Sequence, residues 1–143
     1  MNDPAVSAEH TLVWIDHNEA RIFDFDRELT PAGHRTVKSP QAPVHLHHKA
    51  NERRSGHLPV DHSYLEQVAV AVSGAALLLI TGPANAKHEL VAHIADCHPG
   101  MAQRIVGIET LDHPHDGELQ NFARKFFRRA DRMTRLGVRL KPA

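Results

Sequence analysis

Between Ala76 and Cys97 the chain changes its hydrophobic period in mid-course, and few folds accommodate that change. Leu77 to Thr81 is a run of five apolar or β-branched residues ending at Gly82-Pro83. Beyond it Leu90, Val91, Ile94 and Ala95 recur with helical spacing. A buried strand, a tight turn and an amphipathic helix are expected in that order. Asn85 stands where an N-cap belongs, because its side-chain oxygen can accept a first-turn amide. Lys87 then falls in the first turn, where the helix dipole disfavours a cation by roughly 0.3–1 kcal/mol. An anion held between this lysine and the free amides would explain the placement, as would a solvated lysine leaning on a nearby carboxylate.

The flanking segments extend the pattern. Thr11 to Ile15 is β-branched and apolar, Ala20 to Phe25 alternates, and Asp16-His17-Asn18-Glu19 between them is turn chemistry, so a hairpin is expected. Asp16 and His17 would sit at a strand end, placed for acid–base work or simply closing the turn. His34 to Lys38 is a third, edge strand. Leu65, Val68, Ala69 and Val72 mark a helix that Ser73-Gly74 ends, and Arg104 to Glu109 a further strand. Two strands joined through a helix imply a parallel, right-handed crossover.

The loop Thr110 to Gly117 follows that last strand and holds Asp112, His113, His115 and Asp116. Ligands gather at the carboxyl ends of strands in open α/β sheets, so this loop should neighbour the Gly82–Lys87 turn. The cluster could build a metal-assisted hydrolase or nuclease centre. Asp112 or Asp116 as an N-cap, with Pro114 in a first helical turn, accounts for the residue types without a cofactor. The final helix buries Leu119, Phe122, Ala123 and Phe126.

Charge separates the chain more sharply than composition does. Lys+Arg and Asp+Glu both number 17, yet residues 124–143 hold eight of the cations and one of the acids. Arg128, Arg129, Arg132 and Arg135 belong to this block, an asymmetry suited to nucleic acid or an acidic partner. A second cationic segment, Val44 to Asp61, has no helical or strand period and groups His45, His47, His48, Lys49, Arg53, Arg54 and His57. Its histidines lack the spacing of a closed zinc site, so no metal and no cofactor are expected, and phosphate binding is the better reading. A single cysteine, Cys97, excludes an internal disulfide. The apolar run Val68–Pro83 is shorter than the ~20 residues a membrane span needs. With no basic-then-apolar leader pattern at the start, a cytoplasmic protein is expected.

The Gly82-Pro83 turn with Lys87 resembles the Gly-Pro-x-x-x-Lys signature in the central domain of Pelota and the archaeo-eukaryotic peptide-chain release factors. The chain as a whole, over residues 11 to 130, resembles a bacterial "translational machinery protein" family related to that domain. The matching residues are Val13-Trp14-Ile15-Asp16-His17 with Ala20-Arg21-Ile22-Phe23, His45-Leu46-His47-His48 with Ser55-Gly56-His57, and Val106-Gly107-Ile108-Glu109-Thr110 with Asp112-His113-Pro114 and Asp116-Gly117. The resemblance implies a ribonuclease-H-like fold and a place on the ribosome or on RNA. The family's Gly-Gly-Gln tripeptide, which promotes peptidyl-tRNA hydrolysis, is missing; Arg54-Ser55-Gly56-His57 stands at the similar place. Release activity by that mechanism is therefore not expected.

Together these readings predict one α/β domain of two or three layers over residues 11–131. Its mixed five-stranded sheet is an antiparallel hairpin and third strand followed by parallel strands through helical crossovers. A disordered tail is expected at 1–10 and a basic extension at 132–143. The expected function is noncatalytic binding of the ribosome or structured RNA through Gly82, Pro83, Asn85, Lys87, the Lys49–His57 loop and the C-terminal arginines, acting together as one cradle. A metal- or histidine-dependent hydrolase or nuclease acting on RNA or a nucleotide at the Lys87/Asp112–Asp116 corner is the alternative, with Asp16, His17, Asp112, His113 and Asp116 as the possible acid–base or ligand cluster. The sequence leaves monomer and homodimer equally open.

Overall fold

The computed structural model describes residues 8–40 and 60–135. Three strands come first, β1 (Ala8–Ile15), β2 (Glu19–Phe25) and β3 (Pro31–Lys38). There follow α1 (His62–Ala71), β4 (Ala75–Gly82), α2 (Ala86–Cys97), the short α3 (Pro99–Ala102), β5 (Ile105–Thr110) and α4 (Asp116–Arg135). The sheet order is β3-β2-β1-β4-β5. β1 pairs antiparallel with β2, and β2 with β3; β1 pairs parallel with β4, and β4 with β5. This is the expected mixed five-stranded sheet, and it lies between two helical layers.

β1 runs through the middle, which explains its composition. Leu12, Val13, Trp14 and Ile15 are all at most 1% exposed, as a strand covered on both faces requires. Val13 and Ile15, with Ile22, Leu78 and Ile80, pack against Tyr64, Leu65 and Val68 of α1 and Leu90 and Ile94 of α2. Leu12 and Trp14, with Phe23, Phe25 and Leu79, pack against Leu119, Ala123 and Phe127 of α4. The helix that covers its face alone thus meets the larger rings.

Several boundaries differ from those expected. β1 begins at Ala8, not Thr11, because Ala8 and His10 pair with Ala75 and Leu77 of β4. His10 is 1% exposed, its ring against Phe127, with Nδ1 3.1 Å from the Asp26 carbonyl and Nε2 3.1 Å from Asp131. The first strand is thereby tied to the far end of α4, which runs past residue 131 to Arg135. β3 begins at Pro31, three residues before His34. The turn after α2 contains α3, with Pro99 in its first turn. In α4 Phe127, rather than Phe122 or Phe126, is fully buried, the latter two flanking the core. Among the described residues no helix is long and apolar enough to cross a membrane.

Candidate functional site

The carboxyl end of the parallel strands is a crowded place. β4 and β1 approach so closely there that a Cβ on Gly82 would lie 2.3 Å from the Ile15 carbonyl oxygen. Glycine at this turn is required by packing, before any ligand is considered. Beyond it Asn85 occupies the N-cap of α2 without a side-chain capping bond; its amide donates instead to Glu89 Oε2 at 3.2 Å. Glu89 Oε1 accepts the Val60 amide at 2.8 Å, tying the approach to α1 onto α2.

Lys87 is 4% exposed, and its Nζ folds back onto the Ala84 carbonyl at 2.6 Å. Burial lowers its pKa. The first-turn cation is accommodated by a local carbonyl and needs neither an anion nor the acid leaned on in the other reading.

Across the sheet end, the loop after β5 is strapped by Arg21 of β2. Arg21 Nη1 donates to Asp116 Oδ1 at 2.7 Å and Nη2 to the Pro114 carbonyl at 3.0 Å, and the guanidinium lies over the Trp14 ring at 4.5 Å. Trp14 Nε1 donates to the Leu111 carbonyl at 3.1 Å. His34 stacks on Phe23 and comes within 3.9 Å of Asp116. His113 lies edge-on to Trp14, with Nδ1 3.1 Å from Asp112 Oδ1 and Nε2 3.6 Å from Asp16 Oδ2. Asp16 Oδ1 accepts the amides of Asn18 and Glu19, and its carbonyl accepts the Tyr64 hydroxyl at 3.0 Å. Burial, then Asp16 and Glu19, push the Tyr64 pKa up, keeping that hydroxyl protonated as a donor.

His113 brings Asp16 and Asp112 together, while Asp116 goes to Arg21 and His34; His17 is exposed on the hairpin turn. Asp16 closes the hairpin turn and Asp116 is strapped by Arg21, whereas the Asp112 side chain is exposed. Neither Asp112 nor Asp116 caps α4 in the way expected, and Pro114 lies before the helix. Asp116 is its first residue, and Glu118 reaches back to the His115 amide at 2.8 Å, half of a capping box. Trp14, Arg21 and His34 belong to this corner although the sequence reading did not assign them to it. The pairing of Trp14 with Arg21 across β1 and β2 was accessible from the hairpin alternation.

The arginines lie elsewhere. Asp131 contacts His10 near the amino end of β1, so Arg128, Arg129 and Arg132 sit at the opposite end of the sheet from Lys87, and on its other face. A single cradle made of Lys87 and these arginines does not form. Lys125, Arg128, Arg129 and Arg132 are exposed at i, i+3, i+4 and i+7 and make no hydrogen bond or ion pair among the described residues. Lys49, Arg53, Arg54 and His57 lie outside the described residues, as does the side chain of Arg135. The described side chains whose ligand atoms converge as a metal would need are Glu66, His93 and His98, on the α1–α2 face.

No family model and no curated protein matches the chain. Solved structures do. The Pelota protein of Thermoplasma acidophilum is 20% identical, with a TM-score of 0.52 over 84% of this chain and 33% of its own. Archaeoglobus fulgidus Pelota is 10% identical, with a TM-score of 0.53 over 92% of this chain and 38% of its own. An archaeal translation termination factor, aRF1, matches at 11% identity and a TM-score of 0.45, over 89% of this chain and 40% of its own. The chain spans between 33% and 38% of the length of these two Pelota proteins, and with that portion it shares its fold.

Proposed function

We propose that this chain is a noncatalytic, ribosome- or RNA-associated protein of the translation machinery, held to RNA phosphates by the outer face of α4. The stripe of Lys125, Arg128, Arg129 and Arg132 is the observation that carries the reading. Seven residues of helix place these charges along about 10 Å. The one acid among the last twenty residues, Asp131, turns away to His10. Four cations left in solvent without a partner among the described residues suit a polyanionic backbone, recognised by charge and shape rather than by base. The Pelota-like fold supports the translational context. Arg21 strapping Asp116 supports a structural corner over a hydrolytic one.

Ribosome co-sedimentation across a salt series tests this. Binding of the full chain should fall steeply with salt, each phosphate contact contributing about 0.7–0.9 to the log–log slope. Replacing Arg128, Arg129 and Arg132 together by Gln should flatten that slope by about two to three. Lys87→Ala should leave it unchanged. Salt-insensitive binding, or a triple variant equal to the parent, would overturn the proposal. RNA cleavage lost in Asp112→Ala or His113→Ala would replace it with the hydrolase reading.

A further inference from the structure

Where α1 and α2 lie side by side, three polar side chains converge without a permanent cation among them. Glu66 of α1 is half-exposed; His93 of α2 has a side chain only 7% exposed; His98 stands at the joint of α2 and α3, serving as C-cap to one and N-cap to the other. His93 Nε2 lies 2.7 Å from Glu66 Oε1, and His98 Nε2 2.8 Å from the same oxygen. Both imidazoles thus converge on a single carboxylate oxygen. His98 and then His93 hold the Glu66 carboxyl below the usual carboxylate range, so it is ionised at neutral pH.

We propose that Glu66, His93 and His98 form a divalent transition-metal site, with zinc as the ion it takes. Two imidazole nitrogens and one carboxylate oxygen are a recognised zinc donor set, and all three ligand atoms lie within 4.8 Å of one another. Tetrahedral zinc with bonds of about 2.0–2.1 Å needs its ligand atoms about 3.3 Å apart. The two shorter separations must therefore open by roughly half an ångström. The half-exposed Glu66 can retreat by that much, while burial holds His93 in place. Zinc would use Nε2 of each ring as an acceptor, moving the ring protons to Nδ1; at His93 this nitrogen faces Cys97 Sγ at 4.0 Å. The thiol is on the side of the ring away from the ion and is not a ligand. His62, one turn before Glu66 on α1, lies edge-on to His93 with ring centroids 5.8 Å apart and is not one of the converging ligands, so water would complete the tetrahedron.

An ion here would clamp α1 to the α2–α3 joint, joining elements on either side of β4. The signal in the sequence is Glu66 on one helix, with His93 and Cys97-His98 at the end of another. Isothermal titration of the full, metal-stripped chain with zinc chloride tests the site, followed by thermal melts with and without zinc. A variant with His45, His47 and His48 replaced by Asn is titrated alongside, so that histidines outside the triad are accounted for. The expected result is one tight site per chain, kept in that triple variant and in Cys97→Ser, with a rise in Tm on adding zinc. Glu66→Gln and His98→Ala should each weaken it at least about tenfold, since even outer-shell changes commonly cost that much. Circular dichroism of these two variants, both altered at partly exposed positions, confirms that the fold is kept. Absence of zinc binding in the parent chain, or binding unaltered by both variants, would overturn the proposal.

Discussion

The corner at the carboxyl ends of the strands and the cluster between α1 and α2 use the same side chains to opposite ends. Each brings histidine and carboxylate together across elements distant in sequence. At the corner a guanidinium that is always charged takes up Asp116 and the Pro114 carbonyl and leans on Trp14. The Asp116 charge is neutralised within the fold, and the loop is fastened as a result. Between the helices the partners of Glu66 are two imidazoles, whose nitrogens can turn from donor to acceptor. Donor groups are open to a ligand only where no fixed cation has already taken them. Counting histidines and acids along the chain does not distinguish the two cases.

The comparison can be broken at either end. The largest effect is expected beneath the corner. Gly82→Ala forces a Cβ against the Ile15 carbonyl and should cost about 3 kcal/mol, the upper range for overpacking, measured as a lowered urea midpoint. Arg21→Met keeps some cover on Trp14 but releases Asp116 and Pro114; a loss of about 2 kcal/mol follows if the strap is structural. An unchanged midpoint would remove the contrast with the helical cluster. Lys87→Met probes a third situation, a buried cation answered, among the described residues, by a carbonyl alone. Its folded pKa lies below the ordinary 10.5, so between the two values the unfolded chain binds more protons and stability rises with pH. The methionine variant should lack that rise in denaturation curves recorded from neutral to alkaline pH, and be no less stable near neutrality. The smallest effect is reserved for Glu66→Gln in metal-free protein. The Glu66 carboxyl is lowered on folding, so its contribution is present above the ordinary carboxylate range and lost as pH falls through the folded value. Parent and variant should differ slightly near neutrality and coincide in acid, whereas added zinc should separate them.

Much of the architecture was legible because period and punctuation agreed. The run Leu77–Thr81 became the core of β4, and Leu90 and Ile94 became the buried stripe of α2. Asp61 caps α1, accepting the Ser63 amide. What escaped was set by partners far along the chain. His10, in an N-terminal stretch without hydrophobic period, carries no strand signal, yet pairing with β4 and cover by α4 bury it. Lys87 reads as a surface cation until the Ala84 carbonyl is seen to turn toward it. Asn85 has the residue type of a cap but gives its amide to Glu89, one helical turn away. In each case a local preference worth about 1 kcal/mol yielded to packing or to a better partner.

Local regularities were enough to determine a mixed sheet of five strands, its helices and the crowding of cations near the carboxyl terminus, because backbone periodicity and charge density are properties of neighbours. Only the tertiary structure decided which charges are free. It placed Lys87 and the arginines on opposite faces and opposite ends, gave Asp116 to Arg21, and brought His93 and His98 to Glu66. The electrostatic role of a side chain depends on what stands within a few ångströms of it, and that distance is fixed by how helices cross the sheet, not by their spacing in the chain.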